Sequence, residues 1–153
     1  MRDEAQAVII GGGVAGCSIA YHLTLMGWRD VVVVERGQLT GGSTHRAAGL
    51  IGQVRGTYNL TRMIMYSVDL YGRLRQETGL AGAGAIRSAG DGYLDPYRLS
   101  LGLAAEAARR RAQIFERSPV TRVRTDRRGI EIVTAGGVVR AGTIVVASNY
   151  PPA

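Results

Sequence analysis

The sequence predicts an α/β fold, with a parallel sheet at its centre and a small antiparallel β-meander. The first two observations are the continuous apolar runs Ala7–Ile10 and Val31–Val34. Runs of this kind are typical of parallel strands that are buried on both faces. The third observation is the stretch from about Val14 to Met26, which is apolar nearly all round and therefore predicts a buried helix. Strand, helix and strand in this order predict a βαβ unit.

Two further helices are predicted downstream. Residues 57–77 have apolar residues at helical spacing, which predicts an amphipathic helix. The other helix is expected to begin with Asp95 as N-cap and Pro96 in the first position, and to end near Arg111. Gly27 follows the first helix, where a left-handed C-terminal residue is needed. The apolar face predicted for the 57–77 helix consists of Leu60, Ile64, Val68, Tyr71 and Leu74.

Short strands separated by glycine turns follow the last helix. They are expected to form the meander, from about residue 113 to residue 141, inserted before a last parallel strand over Thr143–Ala147. The short strands are predicted at Gln113–Glu116, Val120–Thr125, Ile130–Thr134 and Val138–Ala141.

The whole chain, residues 1–153, is expected to fold as one domain, because this length supports a single core. Glycine accounts for 22 residues, which is about twice the usual share of ~7%. Some of these glycines must serve tight turns and close backbone approaches. The stretch 80–90 is rich in Ala, Gly and Ser, and it predicts a junction between the two halves.

Composition excludes several kinds of partner. The net charge is +7, but all 19 basic residues are arginine, which indicates a compositional bias rather than a nucleic-acid surface. Arg109–Arg111 fall at a predicted helix end, where cations complement the helix dipole. Arg122 and Arg124 alternate with other residues, as on the wet face of a half-buried strand. We therefore expect no nucleic-acid partner.

Cysteine usage and hydropathy bear on location. The single cysteine, Cys17, excludes an internal disulfide and fits a reducing cytoplasm. The N-terminus lacks the layout of a signal peptide, because its apolar run stops at Gly11. No apolar stretch approaches the ~18 residues that a membrane span needs. Two histidines and one cysteine predict no metal cluster, so we expect a cytoplasmic protein without a metal or a membrane.

Residues 11–16 carry a G-x-G-x-x-G motif between the first strand and the first helix. In such a motif the first glycine, Gly11, makes the tight turn, and Gly13 lets a pyrophosphate approach the backbone. Gly16 allows close packing of the helix on the strand. The helix then directs the free N–H groups of its first residues, Val14 and Ala15, at the phosphates.

An acid follows at the position that this motif requires. Glu35 comes 19 residues after Gly16, at the end of the second strand, where an acid accepts a ribose hydroxyl and repels a 2′-phosphate. The alternative is a βαβ unit whose glycines serve only turns. FAD and NAD share the fingerprint, but the glycine- and hydroxyl-rich loop Thr40–Leu50 is poorly explained by NAD and favours FAD.

At this point the sequence resembles the D-amino-acid-oxidase-like flavoenzymes, specifically the sarcosine and dimethylglycine dehydrogenase branch. The resemblance covers residues 7–79 and 90–150. It implies a Rossmann-type, glutathione-reductase-like FAD-binding fold and oxidation of the C–N bond of N-methylated or small amino acids by hydride transfer to flavin. The matching strings are VIIGGGVAGCSIAYHLTLMGW, VVVVERGQLTGGST, AAGLIGQVR, GDGYLDPYRLSLGLAAEAARRRAQIFE and SPVTRVRTDRRGIEI.

The resemblance also implies roles for individual residues. The glycine turn would hold the FAD pyrophosphate, and Glu35 the adenosine ribose. Arg36 would lie beside the adenosine, while Val120 would contact the adenine through its backbone. Ser43 and Thr44 would face the ribityl-pyrophosphate region. The residues expected to run past the isoalloxazine ring are Ala48, Gly49 and Leu50. No catalytic residue is implied.

Two departures from the family pattern stand out. Many of these dehydrogenases link flavin covalently through a histidine just before Ala-Ala-Gly, but that position is Arg46 here and the histidine is His45. Since a one-residue shift in an extended loop reverses a side chain, we expect non-covalent FAD. The family also has a long segment where this chain has only residues 80–90, and it continues well past Pro152. The chain is therefore expected to be shortened internally and truncated at its C-terminus.

Two other functions stay open from the sequence. One is a non-catalytic, minimal or truncated FAD-binding module, which the short junction favours. The other is an NAD-binding protein, which the 40–50 loop disfavours. The remaining conspicuous residues have structural interpretations: His22 as a hydrogen-bonded residue of a packed helix, and Cys17 as a small core residue.

Overall fold

The computed structural model of the protein describes residues 3–52, 56–78, 87–88, 91–127 and 129–148. The helices are α1 (Val14–Leu25), α2 (Tyr58–Thr78) and α3 (Pro96–Arg109), with a short 3-10 helix at Thr44–Arg46. The strands are β1 (Glu4–Ile10), β2 (Val31–Val34), β3 (Leu50–Ile51), β4 (Arg87–Ser88), β5 (Asp91–Tyr93), β6 (Gln113–Phe115), β7 (Val120–Asp126), β8 (Gly129–Thr134) and β9 (Gly137–Val146).

The predicted α/β fold with a parallel sheet is confirmed. The main sheet has six strands in the order β6-β2-β1-β9-β8-β7. Strands β6, β2, β1 and β9 run parallel to one another, whereas β8 and β7 are added in antiparallel fashion. A second, small sheet joins β3, β5 and β4 by antiparallel pairing. Apart from β4, the predicted 80–90 junction lies outside the described residues.

The predicted start of the meander was wrong, whereas its predicted end near residue 141 is confirmed. Strand β6, predicted as part of the meander, pairs in parallel with β2, with Val33 opposite Ile114. The two strands predicted on either side of Gly142 form the single strand β9. Its first half pairs with β8 and its second half with β1, so continuous pairing on both sides holds Gly142 in an extended strand. The antiparallel meander therefore comprises β7, β8 and the first half of β9.

The core lies on both faces of the parallel strands. Alternate residues of a strand point to opposite faces, and so Ile9 and Val33 pack with α1 and α3. On the other face, Val8 and Val32 pack with residues of the meander, including Ile132. All four of these strand residues are at most 1% exposed. Burial on both faces explains why the two strands are continuous apolar runs in the sequence.

The predicted helix termini are confirmed. Asp95 accepts hydrogen bonds from the N–H groups of Tyr97 and Arg98, at 2.9 and 3.1 Å, with Pro96 in the first helical position. Gly27 has a φ of 90°, and the N–H of Trp28 reaches back into α1. These bonds satisfy backbone groups that a helix end would otherwise leave unpaired.

The apolar face predicted for α2 is confirmed only at its C-terminal end. Of the predicted face, Leu74 is buried in the core cluster and Tyr71 packs against it, but Leu60 is 50% exposed. Large apolar side chains of the N-terminal half are exposed as well. Within the described residues α3 is the element that α2 contacts most, and the buried side chains of α2, Leu70 and Leu74, lie in its C-terminal half. The periodicity of the sequence therefore located the helix without showing how much of it is covered.

The arginine cluster at the end of α3 has a structural partner within the helix. Glu106, which is 5% exposed, accepts hydrogen bonds from Arg109 and Arg110 at 2.6 to 2.9 Å. The Arg109 guanidinium lowers the pKa of the Glu106 carboxyl through these bonds. Among the described residues, no helix combines the length and apolar character needed to cross a membrane.

Candidate dinucleotide site

The candidate site lies at the carboxyl edge of the parallel strands. Strand β1 leads into Gly11, β2 into Glu35, β6 into Glu116 and β9 into Ala147. In open α/β sheets ligands bind outside the carboxyl ends of the strands, where the order of strands reverses. Strand β1 is this reversal point, since its neighbours are β2 on one side and β9 on the other. The sheet topology therefore brings the glycine motif and Glu35 to one edge.

The glycine turn is too crowded for side chains at two of its positions. Gly11 has a φ of 112°, and a Cβ there would lie 2.8 Å from the Ala147 carbonyl oxygen. A Cβ at Gly16 would overlap the Gly11 carbonyl oxygen. The roles predicted for these two glycines, a tight turn and close packing of the helix on the strand, agree with this geometry. At Gly13 a Cβ would lie 3.0 Å from the Thr44 hydroxyl oxygen.

The Glu35 carboxylate faces the turn. One of its oxygens accepts a hydrogen bond from the Gly12 N–H at 2.7 Å, and the other accepts one from the Gly37 N–H at 2.8 Å. An ionised carboxylate has about four acceptor positions, so Glu35 can still accept from ligand hydroxyls. Glu35 is half-buried, and its Cβ and Cγ lie close to Gly12 of the turn.

Thr44 lies against the glycine turn and the start of α1, and Ser43 precedes it. The Thr44 hydroxyl oxygen accepts a hydrogen bond from the N–H of Val14, the first residue of α1, at 3.0 Å. Thr44 is 7% exposed, whereas Ser43 is exposed. Because the Thr44 hydroxyl also carries a donor hydrogen, it can bond a phosphate oxygen while it holds the helix N-terminus. Ala15 follows Val14 in the same first turn of the helix.

The segment predicted to run past the flavin ring is partly open. Ala48 is exposed and Leu50 is 76% exposed. Gly49 has a φ of 72°, its carbonyl accepts a hydrogen bond from the Leu94 N–H, and a Cβ there would overlap the Leu94 carbonyl oxygen. Only a glycine fits this position, so the direction of the segment is fixed by backbone packing against Leu94.

The residues predicted on the adenosine side lie beside the end of β2. Arg36 directly follows Glu35 and is exposed. Val120 begins β7 and packs against the core cluster that contains Val34. The two segments are joined by a hydrogen bond from the Ser118 N–H to the Glu35 carbonyl, at 2.8 Å. Ser118, two residues before Val120, is therefore in direct contact with Glu35.

The other conspicuous side chains have local partners. Cys17 is buried, and desolvation, helped by the charge of Glu35, raises the pKa of its thiol to about 11. It is therefore a neutral core residue, as predicted. His22 Nδ1 lies 2.7 Å from the Ser18 carbonyl oxygen within α1, which confirms its interpretation as a hydrogen-bonded helix residue. His45 packs edge-on against the Tyr97 ring, and both His45 and Arg46 are exposed.

Sequence reasoning missed two residues near the site. Thr40 has a left-handed backbone with a φ of 65° and is 1% exposed, and no periodicity or motif signals such a residue. Glu116 accepts a hydrogen bond from the Leu39 N–H at 2.6 Å. Its position was detectable in principle, because it follows a strand that ends at the same edge as Glu35. Assigning β6 to the meander concealed it.

Taken together, the glycine turn, Glu35 and Thr44 lie at one edge of the sheet and offer the polar groups that a dinucleotide needs. The N-terminus of α1 favours the negative charge of a phosphate group. The Glu35 carboxylate offers acceptors for hydroxyl groups nearby. The described residues contain no group of three or more His, Cys, Asp or Glu side chains that could hold a metal ion.

A family model matches most of the chain. The model of the family described as "DAO: FAD dependent oxidoreductase" matches residues 6–83 and 80–151, which together are most of the chain. It matches as two separate stretches that meet at residues 80–83.

Three curated relatives illustrate the range of similar proteins. Mouse mitochondrial dimethylglycine dehydrogenase is 33% identical over 204 positions, covering 97% of this chain and 24% of the mouse protein. A 4-methylaminobutanoate oxidase (formaldehyde-forming) from Paenarthrobacter nicotinovorans is 43% identical over 52% of this chain and 10% of its own length. The mouse mitochondrial pyruvate dehydrogenase phosphatase regulatory subunit is 48% identical over 50% of this chain and 9% of its own length. The chain thus spans a quarter or less of each of these relatives.

The alignment with the dimethylglycine dehydrogenase is longer than the chain itself. Its 204 positions exceed the 153 residues of this chain by 51. The mouse protein therefore has additional residues within the matched stretch.

Solved structures share the fold. Glycine oxidase from Geobacillus kaustophilus superimposes with a TM-score of 0.84 over 96% of this chain and 56% of its own, at 22% identity. L-proline dehydrogenase from P. horikoshii superimposes with a TM-score of 0.87 over 97% of this chain and 54% of its own, at 21% identity. At these identities the likeness concerns the fold alone.

Proposed function

The chain belongs to the family of FAD-dependent oxidoreductases, and we propose that it is the FAD-binding portion of an enzyme that oxidises a C–N bond of N-methylated or other small amino acids. The cofactor supplies the redox chemistry, by accepting a hydride from the carbon beside the amine nitrogen. The contribution of this chain is to bind and orient the cofactor. The substrate class is supported by the relatives, two of which are named as a dimethylglycine dehydrogenase and a 4-methylaminobutanoate oxidase.

The observation that carries the proposal is the contact between the glycine turn and the Glu35 carboxylate. Glu35 bonds the Gly12 N–H at 2.7 Å, so an acceptor for ribose hydroxyls lies beside the backbone that would hold the pyrophosphate. A negative charge here disfavours the 2′-phosphate of NADP. The Thr44 hydroxyl at the N-terminus of α1 extends the same surface toward the 40–50 loop, which supports FAD rather than NAD.

Replacing Glu35 tests this assignment. Glu35→Ala is expected to weaken FAD binding by about 1–3 kcal/mol, roughly 5- to 150-fold in Kd, because a charge-assisted hydrogen bond to the ribose is lost. Glu35→Gln keeps one acceptor and should have an intermediate effect. The measurement is isothermal titration calorimetry at equal protein concentration, with unfolding temperatures recorded in parallel.

The matched control is Glu131→Ala, which removes a half-buried carboxylate paired with the exposed Arg140 on the meander. It should leave the FAD affinity unchanged. Equal affinities for wild type and Glu35→Ala, with both proteins folded, would show that Glu35 does not bind the ribose.

We further propose that FAD is held without a covalent bond. The proposal is supported by Arg46, which replaces the residue type that can form the link, and by His45, which instead packs against Tyr97. Acid precipitation of FAD-loaded protein is expected to release all the yellow colour into the supernatant. A coloured pellet, or an intact mass increased by one flavin, would contradict non-covalent attachment.

A second candidate function is a FAD-binding module without catalysis. It is favoured by the relative named as a pyruvate dehydrogenase phosphatase regulatory subunit, a name that states regulation rather than oxidation. Both candidates require the same cofactor site. They differ in whether an amine reduces the bound flavin when the chain is part of the longer polypeptide. Substrate-dependent bleaching of the flavin band distinguishes them.

Three remaining expectations are proposals of organisation and location. We propose that residues 1–153 form one domain, with a junction at residues 80–90 that is shorter than in the relatives. The two-part family match and the longer mouse alignment support this. A cytoplasmic location is proposed from the single, reduced cysteine, and a small amine or amino acid, rather than a nucleic acid or a membrane, is proposed as the partner.

A further inference from the structure

A ladder of hydrogen bonds joins the residues after β2 to the residues after β6. The Glu35 N–H donates to the Phe115 carbonyl at 2.9 Å, and the Ser118 N–H donates to the Glu35 carbonyl at 2.8 Å. The Arg117 N–H then donates to the Gly37 carbonyl at 2.7 Å. Residues 115–118 therefore hold Glu35 and the start of the following loop in place through backbone hydrogen bonds.

The last contact of this ladder uses a side chain. The Glu116 carboxylate accepts a hydrogen bond from the Leu39 N–H at 2.6 Å, across 77 residues of sequence. Hydrogen bonds to an ionised acceptor are shorter and stronger than neutral ones. Glu116 is exposed and Leu39 lies in a loop.

The loop that Glu116 holds is under backbone strain at the next residue. Thr40 has a φ of 65°, which is unfavourable for a β-branched side chain, and its hydroxyl has no hydrogen-bond partner among the described residues. Such a conformation persists only when the surrounding structure determines it. Here the Thr40 N–H donates to the Gly12 carbonyl at 2.9 Å, and the Thr40 carbonyl accepts from the His45 N–H at 3.2 Å.

These bonds link Glu116 to both halves of the cofactor site. Through Leu39 and Thr40 the loop is attached to Gly12, whose own N–H donates to the Glu35 carboxylate. Through His45 the same residue fixes the short helix that carries Thr44, which bonds the N-terminus of α1. A shift of Thr40 would therefore move the phosphate side and the ribose side together.

We propose that Glu116 is a positioning residue of the cofactor site: its carboxylate holds the 37–44 loop in the strained conformation that aligns Thr44 and the glycine turn. This proposal rests on the proposed function, which identifies FAD as the ligand of the site. It concerns the arrangement of the loop and assigns Glu116 no contact with the cofactor.

The first test compares four variants for FAD affinity and thermal unfolding. Glu116→Ala is expected to raise the Kd for FAD on the order of 10-fold, which corresponds to loss of one hydrogen bond to a charged acceptor. Glu116→Met, which keeps the length of the side chain but has no acceptor, should match alanine. Glu116→Gln retains a carbonyl acceptor and should stay within about 3-fold of wild type. Glu131→Ala is the control and should leave the Kd unchanged.

Rescue by glutamine separates positioning from general destabilisation, because Glu116→Gln removes the charge but keeps the bond. Wild-type affinity in both Glu116→Ala and Glu116→Met would overturn the proposal. An equal loss of FAD affinity in Glu116→Gln and Glu116→Met would also overturn it, because the hydrogen-bond acceptor at residue 116 would then be irrelevant.

The second test needs no cofactor. In ligand-free protein, amide hydrogen exchange followed by NMR should be on the order of 10-fold faster at Leu39, Thr40 and Val14 in Glu116→Met than in Glu116→Gln. The Val32 amide, in the centre of the sheet, should exchange at the same rate in both. Unchanged exchange at Thr40 and Val14 would overturn the proposal even if FAD binds. Conversely, faster exchange in a protein that binds no FAD would keep the positioning role and refute the proposed function alone.

Discussion

Gly16→Ala is expected to lower the free energy of unfolding by about 3 kcal/mol or more and to abolish measurable FAD binding. The added methyl group would overlap the Gly11 carbonyl oxygen, so relief requires movement of backbone rather than of a flexible side chain. Overpacking in a tight site costs about 1–3 kcal/mol and occasionally more, and here it falls on the turn that would hold the pyrophosphate. Denaturant unfolding and calorimetric FAD titration measure the two effects.

Gly42→Ala is the matched control for this substitution. A Cβ at Gly42 would meet nothing within 4 Å, and its φ lies outside the left-handed range. The variant lies in the neighbouring loop and should retain both the stability and the FAD affinity of wild type. If Gly16→Ala behaves like Gly42→Ala, the close approach of α1 to the turn does not exist in solution.

The second large effect concerns catalysis: FAD-loaded protein consisting of these 153 residues is expected not to oxidise sarcosine, dimethylglycine or similar amines. Ala48 and Leu50, on the segment expected beside the isoalloxazine ring, are exposed, and the chain spans 24% of the dimethylglycine dehydrogenase it matches. Catalysis requires the substrate carbon within about 3–3.5 Å of its acceptor in a site that excludes water. Without that positioning, ~7–11 kcal/mol of proximity effect is lost.

Anaerobic stopped-flow mixing with a panel of N-methyl amino acids measures this directly. The flavin band should remain unchanged with every amine, while dithionite bleaches it fully and so proves that the bound cofactor is reducible. Amine-dependent bleaching would mean that these residues build a complete active site.

The βαβ unit and the meeting of the glycine motif with Glu35 were predictable from sequence because most of their determinants are local. The turn depends on the positive φ of Gly11 and on the contact of Gly16 with the Gly11 carbonyl, and the position of Glu35 depends only on the length of one helix and one strand. The caps at Gly27 and Asp95 depend equally on neighbouring residues. In each case the residue type and its spacing in the sequence are enough to predict the local structure.

What could not be predicted depends on pairing between distant segments. A three-residue strand such as β6 has no periodicity that distinguishes a parallel partner from an antiparallel one, so it was assigned to the wrong part of the sheet. The continuity of β9 through Gly142 results from pairing with β1 and β8 at once. The hydrogen bond from Leu39 to Glu116 spans 77 residues, so no local pattern signals it. The exposure of Leu60 depends on which other elements pack against α2, and the periodicity of the helix does not show this.

The central claim, that the carboxyl edge of this sheet binds FAD, is tested most directly by titrating the ligand-free protein with FAD, NAD and NADP in a calorimeter. One FAD per chain should bind with a Kd in the micromolar range, about −8 kcal/mol, and either nicotinamide cofactor should bind at least about 10-fold more weakly. Tighter binding of NAD or NADP than of FAD, or no binding of FAD by folded protein, would contradict it.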